Sequence, residues 1–335
     1  MLVRFGFVAM STQLENASPS RTMTMANFAK LDDREAGLRR LELLAEENLR
    51  NTLRLLKHCK YMDVKVYRLT SKLIPLATHE ALADWSPYEP LAPAFAEVGR
   101  FAKENGMRLS FHPDHFTVLS TPREEVLEKS VRDLEHHVRQ LELMGLDDRA
   151  LCNIHVGGSY GDKPSAGQRF LRNFASMPER LRRRITLEND DKTFNAAETL
   201  EISEEAGAPM VLDIHHHQVN NAGEPPESLW PRICRTWRRF SPEEAGEHSL
   251  PPKIHVSSPK SATDPRSHAD YVDLQPLLSF LTAIANDTPA LDVMIEAKKK
   301  DGALLKLMDD LREVQRSGGP VRVLDGGSVE IAPLS

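Results

Sequence analysis

Six short apolar segments in the second two-thirds of the chain each close on a side chain that can bind a metal ion: Phe111-His112, Ile154-His155, Leu187-Glu188, Leu212-Asp213, Ile254-His255 and Ile295-Glu296. Imidazole and carboxylate donors without thiolate suit Zn-, Mn- or Fe-type ions and carry too much nitrogen for a Ca or Mg site. A lone histidine at a strand end is more often a satisfied polar residue than a ligand. Six donors at equivalent positions reverse that expectation. The run Asp213-Ile214-His215-His216-His217 adds an Asp-x-x-His spacing in which His216 can turn back over Asp213, with His215 as the alternative and the rest of the run expected at the surface. His268, in Arg266-Ser267-His268-Ala269, falls in the loop after the seventh strand; alone it reads as a surface residue, and with His216 it completes a further metal position. These candidates exceed what one ion needs. Carboxylates able to bridge, notably Glu188, suggest about two or three ions at the close spacing used on phosphate esters.

Two further groups stand near those ligands. Lys253 precedes His255 by two residues and so shares its side of the strand. Its amine either lies inside the barrel near the cations or, at the strand entry, reaches solvent at the bottom face. Pro113 fixes a turn just after His112 and pushes His115 and Phe116 onto the rim, where an aromatic ring in water can wedge between bases. The alternative is that Phe116 packs back under the next helix with Val118 and Leu119. Arg232, Arg235 and Arg239 lie near one face of an expected helix, a stripe that reads first as solvated and second as a phosphate contact.

Strand-like and helix-like segments alternate throughout, and this is what must position the donors. Apolar runs at 3–8, 64–69, 107–112, 151–156, 185–188, 210–214, 253–256 and 293–296 read as buried parallel strands, each followed by a helical pattern. The helix over 196–206 is stopped by Gly207, as a terminal glycine should stop it. Six consecutive strands ending on polar donors need one shared mouth. The (β/α)8 barrel, an α/β TIM barrel with extended loops at its C-terminal face, offers one, because its catalytic residues come from the ends of several strands. Loops after the strands are rich in glycine and polar residues, as in Gly157-Gly158-Ser159-Tyr160-Gly161, whereas the strand starts are plainer.

At 335 residues the chain fits a single barrel domain, 1–335, with long loops. Composition is that of a soluble globular protein, 40% apolar and 27% charged, without an apolar run long enough to span a bilayer, so no membrane association is expected. The opening residues read as a first strand, not a secretory signal. Cys59, Cys152 and Cys234 are widely spaced and read as reduced thiols of a cytoplasmic protein. A net charge of −6 argues mildly against a nucleic-acid partner, but dications bound to the ligand cluster would turn the pocket locally positive.

Longer motifs carry a resemblance. Arg4-Phe5-Gly6-Phe7, Asn51-Thr52, Ile74-Pro75-Leu76-Ala77-Thr78-His79, Ser110-Phe111-His112-Pro113, Asn153-Ile154-His155-Val156-Gly157-Gly158, Leu187-Glu188-Asn189-Asp190-Asp191-Lys192, Lys253-Ile254-His255-Val256-Ser257-Ser258-Pro259-Lys260, Arg266 to Asp273 and Met294-Ile295-Glu296-Ala297-Lys298 run through nearly the whole chain. In these the chain resembles the ultraviolet-damage endonucleases, relatives of the metal-dependent abasic-site endonucleases of the endonuclease IV type. The resemblance implies a TIM barrel that binds damaged double-stranded DNA, working as a monomer. It implies incision of one strand 5′ to a cyclobutane dimer, a 6-4 photoproduct or an abasic site, leaving a 3′-hydroxyl and a 5′-phosphate. It implies about two to three divalent ions, Mn2+ first, with Zn2+, Co2+ or Mg2+ as alternatives. One ion would sit on His112, His155 and Glu188, the second on Glu188, Asp213, His255 and Glu296, and the third on His216 and His268. Glu188 and Lys253 are the implied catalytic groups, the lysine carboxylated, and His115, Phe116, Phe7 and Ser11 the implied lesion contacts. Two departures bear on lesion preference: His115-Phe116 stands where the family typically has Gln followed by Tyr or Phe, and Phe7 where some members carry Tyr. The competing classes are a metal-dependent sugar isomerase on the same barrel, and a lesion-binding protein that does not cut.

Overall fold

The computed structural model describes residues 1–333. The apolar runs form short strands that pair in parallel, each with the next: β1 (Leu2–Val8), β2 (Val66–Arg68), β3 (Arg108–Phe111), β4 (Leu151–His155), β5 (Ile185–Glu188), β6 (Met210–Asp213) and β7 (Lys253–Val256). Between β7 and the last barrel strand lies an antiparallel hairpin of β8 (Pro259–Ser261) and β9 (Asp264–His268). β10 (Ala290–Ile295) pairs with β7 on one side and with β1 on the other, which closes an eight-stranded parallel barrel. This is the expected TIM barrel. The final two positions of the expected 1–335 domain lie outside the described residues.

Register puts the donors at one level. His155 pairs with Glu188, and Asp213 with His255, so the strand ends that carry ligands are flush at the C-terminal mouth. Gly6 is required where β1 meets β2, since a Cβ there would stand 2.1 Å from the Val66 carbonyl oxygen.

Among the described residues eight helices of 11 residues or more cover the barrel, one after each barrel strand, among them Arg34–Tyr61 after β1, Glu124–Leu143 after β3, Ala196–Ala206 after β5 and Asp301–Arg316 after β10. Local chemistry sets their ends. Asp33 caps the first of these through Glu35 N at 2.8 Å, and Asn195 with Glu198 forms a reciprocal capping box on the third, which Gly207 ends at φ 65°.

Two features were not foreseen. The hairpin β8–β9 places His268 at a strand end, not in an open loop. In addition, β11 (Val321–Val323) and β12 (Ser328–Ile331) form an antiparallel pair, and β12 runs against Leu2–Arg4 of β1. β2 pairs with only the upper half of β1, Gly6–Val8, so β12 satisfies backbone groups that the stagger of the barrel leaves free below.

Candidate metal centre

Two groups of donors converge above the barrel axis, each with one atom per residue within 4.8 Å of the others: His112, His155 and Glu188, and then Glu188, Asp213, His255 and Glu296. They share Glu188, whose Oε2 lies 3.2 Å from His112 Nε2 and 3.1 Å from His255 Nδ1. On the far side His255 Nδ1 is 2.9 Å from Glu296 Oε1. The His216 ring stands 5.6 Å from that of His155 and 6.4 Å from that of His268, centroid to centroid, which extends the cluster toward the hairpin. All eight sequence-derived ligands therefore border one mouth.

The histidines are oriented for binding. Nδ1 donates to a backbone carbonyl in His112 (Pro113, 3.0 Å), His155 (Glu188, 3.3 Å), His216 (Asn189, 2.9 Å) and His268 (Glu296, 2.6 Å). That tautomer leaves each Nε2 lone pair free for an ion. His215 differs: its Nδ1 is bonded to Ser257 Oγ and its Nε2 to the Pro265 carbonyl, both at 2.6 Å, so neither nitrogen is free. His215 is buried, and so is His217, contrary to the exposure expected of the latter, because 214–219 fold into a short helix under the hairpin and His217 Nε2 donates to the Glu224 carbonyl at 2.9 Å.

The donor set fits cations on a direct observation: both ring nitrogens of wholly buried His255, and Oδ2 of wholly buried Asp213, have no hydrogen-bond partner. Buried polar atoms are rarely left so, and a dication would take up the imidazole lone pair of His255 and the free oxygen of Asp213. Electrostatics agree. Burial drives the Glu188 carboxyl upward, but His255, His112 and His155 outweigh it and hold its pKa well below the ordinary range. Glu296 is likewise held down against burial, by Arg68 and His255. Asp213 is pushed up, chiefly by burial.

Lys253 lies inside the barrel, 1% exposed, with Nζ donating to Ser110 Oγ at 3.2 Å, so the solvent-reaching alternative falls. Burial, then repulsion from Arg108 and Arg68, brings its pKa from 10.5 to about 7. His115 and Phe116 project from the rim, Phe116 74% exposed, their rings 4.0 Å apart; Phe116 does not pack under the helix. Two expected lesion contacts are placed differently. Phe7 is wholly buried, edge-on to Tyr67 at 5.6 Å, because its side of β1 faces the core, and it presents no atom to DNA here. The Ser11 hydroxyl donates to the Asp301 carboxylate and accepts from the amides of Gln13 and Leu14 at 2.9 and 3.0 Å, so it ties down the loop after β1. Two arginines of the stripe are held by their neighbours: Arg232 Nε donates to Glu204 at 3.0 Å, and Arg239, beyond the helix, to the Arg183 carbonyl at 2.6 Å.

Sequence reading missed the groups that aim the ligands. Arg68, the last residue of β2, donates to Glu296 Oε1. Asn153 donates to Glu188 Oε2 and accepts from Thr186 Oγ1 at 2.8 Å. Asn189 donates to the Asp213 carbonyl at 3.0 Å and accepts from the Asp213 amide at 2.9 Å. A signal existed for the first: β2 alone among the inner strands ends on arginine, at the level where others end on ligands.

The decisive comparison is with family models, where residues 3–323 match the UV-endonuclease UvdE family. The chain belongs to that family. Among UvdE relatives it is 42% identical to the UV DNA damage endonuclease of Halalkalibacterium halodurans over 99% of this chain and 100% of that protein. It is 41% identical to the Bacillus velezensis protein of the same name over 96% of this chain and 98% of that one. Among solved structures it resembles SacUVDE with a TM-score of 0.80 at 28% identity, covering 93% of this chain and 99% of that one. Endonuclease IV of Thermus thermophilus shares the fold, with a TM-score of 0.54 at 14% identity over 92% of this chain and 99% of that one. As a UvdE member the chain is an endonuclease. No helix among the described residues is long and apolar enough to cross a membrane.

Proposed function

We propose that the chain incises one strand of duplex DNA 5′ to a cyclobutane dimer, a 6-4 photoproduct or an abasic site, in a reaction that depends on divalent metal and leaves a 3′-hydroxyl and a 5′-phosphate. The observation that carries this reading is the pair of donor groups sharing Glu188 beneath the exposed His115 and Phe116 rings. When bound, Mn2+ or a similar ion would supply electrophilic stabilisation of the attacking and departing oxygens. His112, His155 and Glu188 would hold one ion, Glu188, Asp213, His255 and Glu296 a second, and His216 with His268 a third. All these donors come from one chain, so a monomer would be a complete working unit, and its free thiols at Cys59, Cys152 and Cys234 suit the reducing cytoplasm.

The chain's own groups do the positioning. Backbone carbonyls lock four imidazoles, Asn153 orients Glu188, and Arg68 holds Glu296 against the opening of the mouth. Phe116, with His115 against it, would fill the gap left when damaged nucleotides leave the stack. Neutral Lys253 can take up CO2 at Nζ, losing one proton to solvent, to give an anionic carbamate facing the ligand cluster.

The test is an end-labelled duplex with one defined cyclobutane dimer, incubated with Mn2+ and with chelator. A single nick at the phosphodiester 5′ to the dimer in Mn2+, absent in chelator, is expected. Nicking that persists without metal, or cleavage 3′ to the dimer, would overturn the reading.

A further inference from the structure

His216 and His268, the pair left for the third ion, stand on different pieces of the fold. His216 belongs to the short helix 214–219, where its amide donates to Asp213 Oδ1 at 2.7 Å and its Nδ1 to the Asn189 carbonyl at 2.9 Å, so it is fixed to the barrel. His268 ends the hairpin β8–β9, most of which is exposed. The hairpin ladder joins Pro259 to His268 and Ser261 to Asp264, with a shift of register between them. A two-stranded ribbon with such an irregularity is marginal by itself. Arg266 comes no nearer than 3.8 Å to Asp191, an exposed contact worth little. The His268 ring is bonded at Nδ1, to the Glu296 carbonyl at 2.6 Å, and a ring held at one nitrogen can swing about that bond.

His215 lies between the two. Its ring centroid is 6.2 Å from that of His216 and 5.4 Å from that of His268, which it meets edge-on at 78°. A carbonyl oxygen can only accept, so Nε2 carries the proton and donates to Pro265 in β9, and Nδ1 of the neutral ring accepts from Ser257 Oγ at the root of the hairpin, both at 2.6 Å. One wholly buried side chain therefore ties the helix of His216 to the root and to the return strand of the hairpin that carries His268.

We propose that His215 is a positioning residue for the third ion: it binds no metal, and through the hairpin it sets the separation and mutual orientation of His216 and His268. This rests on the assignment of those two histidines to one ion. The effect is selective, because His112, His155, Glu188, Asp213, His255 and Glu296 all stand on barrel strands or directly after them and owe nothing to the hairpin.

Mn2+ titration by equilibrium dialysis tests it on the parent, His215→Leu, His215→Gln and His215→Asn. Leucine fills the space and removes both bonds. Glutamine places an amide N–H where Nε2 was and keeps the bond to Pro265, whereas asparagine places its amide at Nδ1 and keeps only that to Ser257. The weakest Mn2+ event should weaken by about 10–100-fold in His215→Leu and His215→Asn, the range for partners that orient metal ligands, and recover in His215→Gln, with the tighter events unchanged in all. In the metal-free proteins, amide hydrogen exchange over 259–268 should be faster in the leucine and asparagine variants than in the parent and His215→Gln. A parental weakest event in His215→Leu would overturn the proposal, as would equal weakening of every event, which marks general damage. Fewer than three events in the parent would overturn the ligand assignment, and the proposal with it, before any variant is compared. If His215→Leu does not fold, the contrast between His215→Gln and His215→Asn decides in the same way.

Discussion

The imidazole Nδ1 of His255 and Oε2 of Glu188 lie 3.1 Å apart in a pocket closed to solvent, yet no hydrogen bond of usable geometry joins them. Groups this close and this buried, aimed past each other at a common point, are arranged for a third body. Removal of metal should therefore lower stability as well as activity. Ions bound at a hundred times their dissociation constant stabilise by about 2.7 kcal/mol per site, so chelation should lower Tm and Mn2+ should restore it. Elemental analysis should find about two to three ions per chain. Fewer than one ion with full activity, or a Tm indifferent to chelator, would contradict the assignment.

Glu188 belongs to both donor groups, and its replacement should be the most damaging single change to the chemistry. Glu188→Gln keeps the shape and a hydrogen bond from Asn153 but removes the bridging charge. Nicking should fall by on the order of 10²–10³-fold or more, with the far-ultraviolet circular dichroism unchanged. Nicking at the parental rate would show that the two groups do not act through a shared carboxylate.

Lys253 makes a pH prediction. Its folded pKa, about 7, lies below the ordinary lysine value of 10.5. Between these values the unfolded chain binds a proton that the folded chain does not, so metal-free stability should rise with pH across that window. Below about 7 the penalty of a buried ammonium is fully present. Denaturant titrations of Lys253→Met should show a flatter profile than the parent. The same neutral amine should appear as a carbamate, three extra atoms of density, in metal-replete crystals grown near neutral pH; an unmodified lysine in an active, metal-filled crystal would rule out that modification.

Phe116 is exposed where an apolar ring gains nothing from the fold. Phe116→Ala should leave Tm unchanged and weaken binding to a dimer-containing duplex by about 1–3 kcal/mol, the range of a base-stacking aromatic. His115→Gln should keep activity and alter the ranking of lesions. Equal affinity of Phe116→Ala and parent would exclude stacking by this ring.

The convergence of the candidate donors was legible because a buried parallel strand leaves a simple trace: an apolar run with a single polar residue at its mouth end. Equivalent positions on successive strands must then meet once the barrel closes. The same logic reached the barrel itself and the exposed turn at His115. It failed where contacts join segments that carry no shared period. The choice between His215 and His216 rests on Ser257 and the Pro265 carbonyl occupying both nitrogens of the former, and those partners come from 42 and 50 residues away. Whether Lys253 points inward depends on Ser110 across the barrel, and the aim of Glu296 depends on Arg68, 228 residues distant. The hairpin β8–β9 is largely exposed and so shows little of the apolar alternation that marks a half-buried strand, while β12 exists to cover a stretch of β1 that only the stagger of the closed barrel leaves bare. Local sequence determined which residues stand at the mouth, because strand periodicity is a property of neighbours. Tertiary structure decided which nitrogen of each histidine is free and which charges meet, because those depend on long-range contacts that no local pattern encodes.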